Sequence, residues 1–278
     1  MPFSVVVDSC CDLTAPMRSG GTFQVVPLSI HVGSRTFTDG DDLRQDELLD
    51  AMRTCPDAPH TACPSPASYL DAFESAEGDI YVVTLSALLS GSHNAARQAA
   101  ALFLEDHPGR NLYIFNSCSA SAGEVLLALK IKELAESGLP FSEVVRQGDG
   151  FITAMRTLFI LENLDNLKKN GRLTRIQAAL TGALRIKLLM GATPEGEICK
   201  RGQALSVKQG LNKLVQLMSA DEGHQGRALC IAHCNCPARA EALRMLALKH
   251  CDFQDILICS TRGISTVYAN DGGVVCAY

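Results

Sequence analysis

Short apolar runs alternate with helical patterns through the first half of the chain. Three of these runs, at residues 4–7, 80–83 and 112–115, consist almost entirely of aliphatic and aromatic residues. The second and third runs each precede a pattern typical of an α-helix. Short β-rich runs followed by helices predict a parallel sheet.

Each of the three runs ends in a cluster of serines with acidic or amide residues. The clusters lie at Asp8-Ser9, at residues 84–92 and at residues 116–123. Ligands bind where the carboxyl ends of parallel strands meet the helix starts. Hydroxyls and free N–H groups there suit a carboxylate or a phosphate. Ordinary N-capping is the commoner explanation of any single cluster, but three clusters on successive strands indicate a binding site.

The remaining elements follow from apolar spacing and from Gly and Pro breaks. Helices are predicted at Gln45–Thr54, around Tyr69–Phe73, and at Ser92–Glu105, Ser119–Ser137, Leu161–Asn170, Leu205–Met218 and Pro237–Lys249. Strands are predicted at residues 27–32, 229–233, 256–260 and 273–278, with a hairpin turn at Pro194–Glu197. Four prolines between residues 56 and 66 predict a stiff loop around Thr61-Ala62-Cys63.

A domain boundary is predicted at Gly148-Asp149-Gly150, where the character of the sequence changes. The strand–helix rhythm resumes beyond it. The predicted fold class is therefore α/β with two domains, an N-terminal parallel-sheet domain at residues 1–149 and a second α/β domain at residues 150–278.

Composition narrows the class of protein. The chain has 278 residues, of which 47% are hydrophobic and 20% charged, as in globular proteins. A net charge of -5 gives no global reason to bind nucleic acid or an anionic membrane. No apolar run approaches the ~18 residues of a membrane span. The first residues contain no signal-peptide core, which predicts a cytoplasmic location.

The 12 cysteines raise the alternative of a disulfide-rich or metal protein. They are scattered and many lie in apolar runs, where reduced Cys behaves as a small core residue. The one metal-like group, residues 233–236, lacks the paired C-x2-C spacing of zinc sites. For Asp8, Asp39, Asp41 and Asp42, turn and capping roles are commoner than metal ligation. No metal and no cofactor are predicted.

The sequence contains none of the common catalytic motifs, neither a nucleophile elbow nor a phosphate or dinucleotide loop. Ser90 or Ser92 with the adjacent His93 is the one candidate nucleophile and base, which keeps a serine hydrolase as an alternative. A binding module for a phosphorylated metabolite is a second alternative. The favoured prediction is a non-enzymatic protein whose hydroxyls and amides hold an anion without transforming it.

Six segments resemble the DegV family of bacterial fatty-acid-binding proteins, also called FakB. The resemblance spans nearly the whole chain, with the segments in the family's order. They are Val5–Leu13, Val26–Leu28, Thr61–Pro66 (similar to T-S-x-P-S-P), Leu89–Ser92 (similar to L-S-G-T), Ser117–Gly123 and Leu167–Leu173 (similar to L-K-K-G-G-R-I).

The resemblance implies two α/β domains with a long-chain fatty acid held between them. It also implies that the protein presents the fatty acid carboxylate to a separate ATP-dependent fatty acid kinase, whose acyl phosphate product feeds phospholipid synthesis. Carried over to this chain, Thr61 and Ser90 would hydrogen-bond the carboxylate, and Gly91 and Ser92 would lend backbone or hydroxyl donors.

The second half of the chain carries a basic segment. Between Phe151 and Lys213 there are 11 Lys and Arg against 4 Asp and Glu, in a chain that is acidic as a whole. A solvated face explains such an excess on charge alone. The resemblance instead implies a kinase-facing surface that includes Arg172 and, more weakly, Arg201.

One departure from the family concerns the head group. Many members carry a histidine near the C-terminus that helps bind the carboxylate, and residues 265–272 here contain none. Thr266 and Tyr268 are the candidate replacements. The apolar segments Leu126–Leu134 and Leu180–Met190 are candidate walls for the acyl tail, or simply core.

Overall fold

The computed structural model describes residues 2–174, 176 and 186–278. Its strands are β1 (Phe3–Asp8), β2 (Phe23–Val26), β3 (Ser29–Val32), β4 (Arg35–Thr38), β5 (His60–Ala62), β6 (Asp79–Thr84), β7 (Leu112–Asn116), β8 (Thr157–Ile160), β9 (Lys187–Ala192), β10 (Ile198–Ala204), β11 (Ala228–His233), β12 (Asp255–Ser260) and β13 (Val274–Ala277). Its helices are α1 (Ala15–Arg18), α2 (Gln45–Thr54), α3 (Pro66–Glu74), α4 (Ser92–Asp106), α5 (Ala122–Glu136), α6 (Phe141–Ala154), α7 (Asp165–Lys169), α8 (Val207–Ser219), α9 (Pro237–His250) and α10 (Gly263–Ala269), with a 3-10 turn at Glu222–His224.

The three apolar runs of the first half form one parallel sheet, in the order β2-β1-β6-β7. Alternate valines of its central strands bury on opposite faces. Val6 and Val82 pack with Phe73 of α3 and Phe103 of α4, whereas Val5 packs toward α5. A sheet covered on both faces accounts for near-continuous apolar strands and confirms the prediction.

The first half of the chain also forms a small antiparallel sheet, in the order β4-β3-β5. The predicted strand at residues 27–32 is β3, which is shorter because Pro27 has no N–H to donate. Part of the predicted proline-rich loop is the short strand β5, in which Thr61 is paired with Ile30. This pairing fixes the backbone of the segment that carries Thr61.

The second half forms a six-stranded mixed sheet in the order β10-β9-β8-β13-β11-β12. Only β11 and β12 run parallel; the other neighbouring strands are antiparallel. The predicted hairpin lies between β9 and β10. The last strand of the chain, β13, enters the sheet between β8 and β11 and so completes its centre.

The helix α5 lies between the two sheets. It packs on β1 and β6 on one side and on β11 and β13 on the other. Nine of its residues are buried, because every face of a helix between two sheets is covered. Leu126, Leu127, Ile131 and Leu134 therefore form core, and they line no part of the cavity described below. The suggestion that this segment is a tunnel wall is corrected.

The predicted domain boundary falls inside α6. Gly148 is not a linker glycine: a Cβ there would meet Ile131 Cδ1 at 2.5 Å and Phe115 Cε1 at 2.6 Å. A glycine stands at this position because α6 packs against Ile131 and Phe115 without room for a side chain. The chain enters the second sheet only after Ala154, so a division at 149/150 falls within a helix of the structure.

Two other predicted segments differ from the structure. The helix expected at Leu161–Asn170 is confined to α7, because β8 runs to Ile160 and a bend separates the two elements. The run Leu180–Met190 lies partly outside the described residues, and its described end belongs to β9.

Candidate functional site

A cavity of about 770 Å³, part of it open to solvent, lies between the two halves of the molecule. It is bounded on one side by the loops that follow β1, β6 and β7, and on the other by β8, the β9–β10 hairpin and α10. Its lining residues are Cys10, Leu85, Leu89, Cys118–Ser121, Thr157, Phe159, Leu161, Leu167, Arg172, Gly191, Ala192, Gly196–Ile198, Ile264, Ser265, Tyr268, Ala269 and Val275. The prediction that the carboxyl ends of three parallel strands meet at one site is confirmed.

The interior of this cavity is apolar because its hydroxyl groups bond to one another, to the backbone or, for Ser121, to the Asp12 carboxylate. Ser119 Oγ and Thr157 Oγ1 are 2.6 Å apart, and Ser265 Oγ donates to the Cys10 carbonyl at 3.3 Å. The groups that remain exposed to the cavity are mainly aliphatic and aromatic. Such a lining suits a hydrocarbon chain.

One end of the cavity, here called the mouth, is polar. Thr61 Oγ1 and the Tyr268 hydroxyl are 2.7 Å apart, and the Arg172 guanidinium carbon lies 5.5 Å from the centre of the Tyr268 ring. Burial raises the pKa of Tyr268, while Thr61 and Arg172 lower it. The phenol is therefore neutral near pH 7 and keeps a proton to donate.

Arg172 is half-buried at the mouth and bonds only to backbone carbonyls. Its Nε donates to the Leu89 carbonyl at 3.1 Å, and its Nη1 to the Asn170 carbonyl at 2.6 Å. Asn170 in turn donates to the Pro59 carbonyl at 2.9 Å. In the described ranges, no carboxylate lies within ion-pair distance of Arg172. Its positive charge is thus placed beside an apolar cavity, with no ion-pair contact to a carboxylate of the described residues.

The start of α4 lies beside the mouth, where Ser90 and Gly91 line an open depression that shares Leu89 and Arg172 with the cavity. The helix begins after Gly91 without a side-chain cap at that residue. Ser90 Oγ accepts the Ser92 N–H at 3.2 Å, which leaves the Ser90 hydroxyl proton for another acceptor. A Cβ on Gly91 would lie 3.0 Å from Cys63 Sγ, so this turn approaches the segment that carries Thr61.

Two of the predicted hydroxyl contacts are occupied by the protein itself. Ser92 is fully buried; its Oγ donates to Asp8 at 2.6 Å and lies 2.7 Å from the Tyr69 hydroxyl. Thr266 is also fully buried and is bonded to Thr261 and Gln45. Neither hydroxyl is available to a ligand, so both side-chain assignments are corrected. Of the two replacements for the family's histidine, Tyr268 is the one at the mouth.

Buried aspartates hold the loops around the cavity. Asp39 accepts the N–H groups of Gly263 and Ile264, both at 2.8 Å, and so caps α10. Asp12 accepts the Arg262 N–H at 2.5 Å, and burial raises its pKa to about 7. The capping interpretation of Asp39 is confirmed. These bonds join the first half of the chain to the second.

The geometry does not support the nucleophile alternative or a metal site at residues 233–236, and of the four aspartates considered as metal ligands it places Asp8 alone in a candidate set among the described residues. Within the described residues, the one set of three Cys, His, Asp or Glu ligand atoms within 4.8 Å of one another is Asp8, Cys10 and Glu124. That set does not include the metal-like segment 233–236. His93 Nδ1 lies 3.1 Å from Thr84 Oγ1 and makes no described hydrogen bond to Ser90 or Ser92.

Arg201, the weaker kinase-facing candidate, lies on β10 and is exposed. Its guanidinium donates to the Ala192 carbonyl at 2.7 Å.

Three residues at this site were missed from the sequence: Gln45, Asn170 and Glu124. Asn170 lies within a motif that had been singled out, but no spacing signal marks the other two.

No helix in the described parts of the chain combines the length and hydropathy needed to cross a bilayer. The fold and the cavity together define an α/β protein with two main sheets and, between them, an apolar cavity that is polar at one end. A model of the DegV family, described as uncharacterised protein, matches residues 2–278. A DegV domain-containing protein of Streptococcus gordonii is 33% identical over 280 residues, which cover 100% of this chain and 99% of that protein. The chain belongs to the DegV family.

Solved structures resemble this one over their full length. A DegV family protein from Ruminococcus gnavus with vaccenic acid has 42% identity and a TM-score of 0.95, and covers 99% of both chains. The Streptococcus pneumoniae Fatty Acid Kinase (Fak) B3 protein loaded with linoleic acid has 32% identity and a TM-score of 0.91, and covers 100% of this chain and 99% of its own. These similarities confirm the fold class and the family resemblance.

Proposed function

We propose that this protein binds one long-chain fatty acid in the cavity and presents its carboxylate at the mouth to a separate ATP-dependent fatty acid kinase. One observation carries the proposal: an apolar cavity ends beside Arg172, a half-buried cation that forms no ion pair with a carboxylate among the described residues. An elongated ligand with a hydrocarbon tail and one anionic end matches both features. The fatty acids named with the two similar structures support the same ligand class.

The head group is assigned to four side chains and one backbone group. The Ser90 hydroxyl and the Thr61–Tyr268 pair donate to the carboxylate, and Arg172 balances its charge. Gly91 allows the close approach of the α4 start to Cys63 and contributes its backbone. Charge-assisted hydrogen bonds of this kind are about twice as strong as neutral ones, and they are needed because an unpaired buried carboxylate is costly.

The tail supplies most of the affinity. Burial of hydrocarbon is worth about 0.8 kcal/mol per CH2, so a chain of ~16 carbons gains on the order of 10 kcal/mol before the costs of association. A phosphorylated polar metabolite would gain nothing from this lining. The geometry therefore favours the fatty acid over that alternative.

The kinase role depends on the accessibility of the mouth. Leu88, next to Leu89 of the cavity wall, is 50% exposed, and Arg201 is an exposed cation on the same half of the chain as Arg172. An opposite charge on the kinase would speed encounter and set its orientation. We infer that the carrier works in the cytoplasm and that its acyl phosphate enters phospholipid synthesis.

The test begins with delipidated protein incubated with palmitate or oleate and examined by native mass spectrometry. We expect one acyl chain per protein, and acyl phosphate formation once purified kinase and ATP are added. Protein that stays unliganded would contradict the binding proposal. Bound fatty acid that the kinase never phosphorylates would contradict presentation but leave binding intact.

A further inference from the structure

Glu124 is a buried carboxyl group that the proposed function does not use. It lies in the first turn of α5, between the two sheets, and is fully buried. Neither carboxylate oxygen has an N–H or O–H donor within hydrogen-bond distance. A buried charge left in this state would be strongly unfavourable.

Asp8, at the end of β1, is arranged very differently. Its Oδ1 accepts the Cys10 N–H at 3.1 Å, and its Oδ2 accepts the Leu85 N–H at 3.0 Å and the Ser92 hydroxyl at 2.6 Å. Three donors favour its ionised form, although its burial has the larger effect and leaves the pKa of Asp8 raised. Two of them belong to residues 85–92, the segment that carries Ser90 at the mouth.

The two carboxyl groups are neighbours in a site without cations. A carboxylate oxygen of Asp8, the Sγ of Cys10 and a carboxylate oxygen of Glu124 all lie within 4.8 Å of one another. No described Lys, Arg or His forms an ion pair with either acid. Burial, and then the charge of Asp8, raises the pKa of Glu124 well above its ordinary value. The titratable groups that face Glu124 are Asp8, Cys10, Cys11, Asp12 and Tyr69.

We propose that Glu124 is a protonated positioning residue that donates its proton to Asp8 and so holds the 85–92 segment in place for head-group binding. A protonated Glu124 carries no charge, and its O–H gains an acceptor in Asp8. Asp8 in turn gains a further hydrogen-bond donor without an added charge. If both groups were ionised, their repulsion would weaken the hold of Asp8 on Leu85 and Ser92. The positioning role rests on the proposed fatty acid site; the shared proton does not.

The direction of the pH effect follows from the raised pKa. An unfolded glutamate ionises near 4.5, whereas the folded one keeps its proton to a much higher pH. The stabilising contribution of the bound proton is therefore complete below pH 4.5 and is lost as the pH rises through the folded pKa. Alkaline pH should loosen the segment that carries Ser90.

Infrared spectroscopy with 13C-labelled glutamate tests the proton directly. At about pH 8.5, above the pKa of about 7 of Asp12, the parent should show the carbonyl stretch of one protonated glutamate. Glu124→Gln should abolish that band, while Glu133→Gln, an exposed glutamate on the same helix, should leave it. A parent without the band, or one that carries a stoichiometric metal ion by elemental analysis, overturns the proposal.

Displacement of a fluorescent fatty acid between about pH 6 and pH 9 tests the positioning role. Glu124→Gln keeps a donor that cannot titrate, so it should bind as tightly as the parent at low pH and lose the parent's weakening at high pH. Glu124→Ala should bind about tenfold more weakly throughout, and Glu133→Gln should follow the parent. The same pH profile for the parent and Glu124→Gln overturns the role, even if the alanine variant fails to fold.

The two experiments separate this inference from the proposed function. If neither the parent nor any variant binds fatty acid, the proposed function fails and the infrared band still decides whether the proton is shared. If fatty acid binds but the labelled band is absent, the proposed function stands and the shared proton is wrong.

Discussion

Two of the helices that begin near the cavity, α10 and α4, differ in whether an acid caps them. The N-terminus of α10 is occupied by Asp39, which accepts the Gly263 and Ile264 N–H groups. The N-terminus of α4 has no carboxylate cap, and its first N–H is bonded only to Ser90 Oγ. A helix start attracts anions, so the protein's own carboxylate fills one such place and leaves the other for a ligand.

The starts of α10 and α4 also have different roles. The capped start of α10 connects the two halves of the chain, because Asp39 lies in the first half and the helix in the second. It fixes Tyr268 at the mouth. The start of α4 contributes donors and meets Arg172 through the Leu89 carbonyl. Changes at α10 should therefore reduce stability, and changes at α4 should reduce affinity.

The largest expected effect is on the capped helix. Asp39→Ala removes a buried acceptor from two backbone donors, and we expect a loss of about 2–3 kcal/mol in the free energy of unfolding. The measurement is urea denaturation, with Asp42→Ala as an exposed control. If the two variants were equally stable, the cap would not be what stabilises the contact between the two halves of the chain.

The uncapped helix should respond in affinity instead. Ser90→Ala and Thr61→Ala each remove a neutral donor to a charged acceptor, worth about 1.5–3 kcal/mol, or roughly 10- to 100-fold in fatty acid affinity. Displacement titrations measure this, with the exposed Ser219→Ala on α8 as control. Unchanged affinity at unchanged thermal stability would show that the carboxylate lies elsewhere.

A smaller effect is expected at Tyr268. Tyr268→Phe keeps the ring beside Arg172 but removes the hydroxyl that contacts Thr61, for a loss of about 1 kcal/mol of binding free energy. Because burial raises the pKa of Tyr268 above 10.0, the ratio of parent to variant affinity should be constant from about pH 6 to pH 9. A ratio that changes within this range would indicate a different titrating partner.

The smallest effect concerns the exposed cation. Arg201→Glu should leave fatty acid affinity unchanged and slow acyl phosphate formation by the kinase, more at low salt than at moderate salt. Arg172→Glu should reduce both affinity and phosphorylation, because its guanidinium lies at the mouth. Equal phosphorylation rates for Arg201→Glu and the parent would return this part of the basic segment to an ordinary solvated surface.

Sequence patterns predicted the parallel sheet well, since β1, β6 and β7 are continuous apolar runs with helices after them. The patterns failed for features of the structure that depend on contacts between residues distant in sequence. The apolar pattern of α5 does not reveal that two sheets cover it, and Gly148 resembles a linker because its close contact with Phe115 and Ile131 is invisible in one dimension. Short α10 lacks any strong local signal.

The candidate site was predictable to a similar degree. Family motifs pointed to Thr61 and Ser90 as carboxylate donors and to Arg172 as kinase-facing, whereas the structure places Arg172 beside Tyr268 at the mouth. Motifs could not distinguish Ser90 from Ser92, because the difference depends on Asp8 and Tyr69, residues distant in sequence. Glu124 was missed for the same reason: a single acidic residue in a first turn is ordinary, and only its burial beside Asp8 is unusual.

The central claim is that the carboxylate of a bound fatty acid lies at the uncapped start of α4 beside Arg172. The most direct measurement is a 13C NMR titration of carboxyl-labelled oleate bound to the protein. We expect one bound resonance per chain with a pKa below that of an ordinary carboxylic acid, shifted upward by Ser90→Ala and unaffected by Asp42→Ala. A bound carboxyl group whose pKa is raised, as in an apolar interior, would contradict this placement.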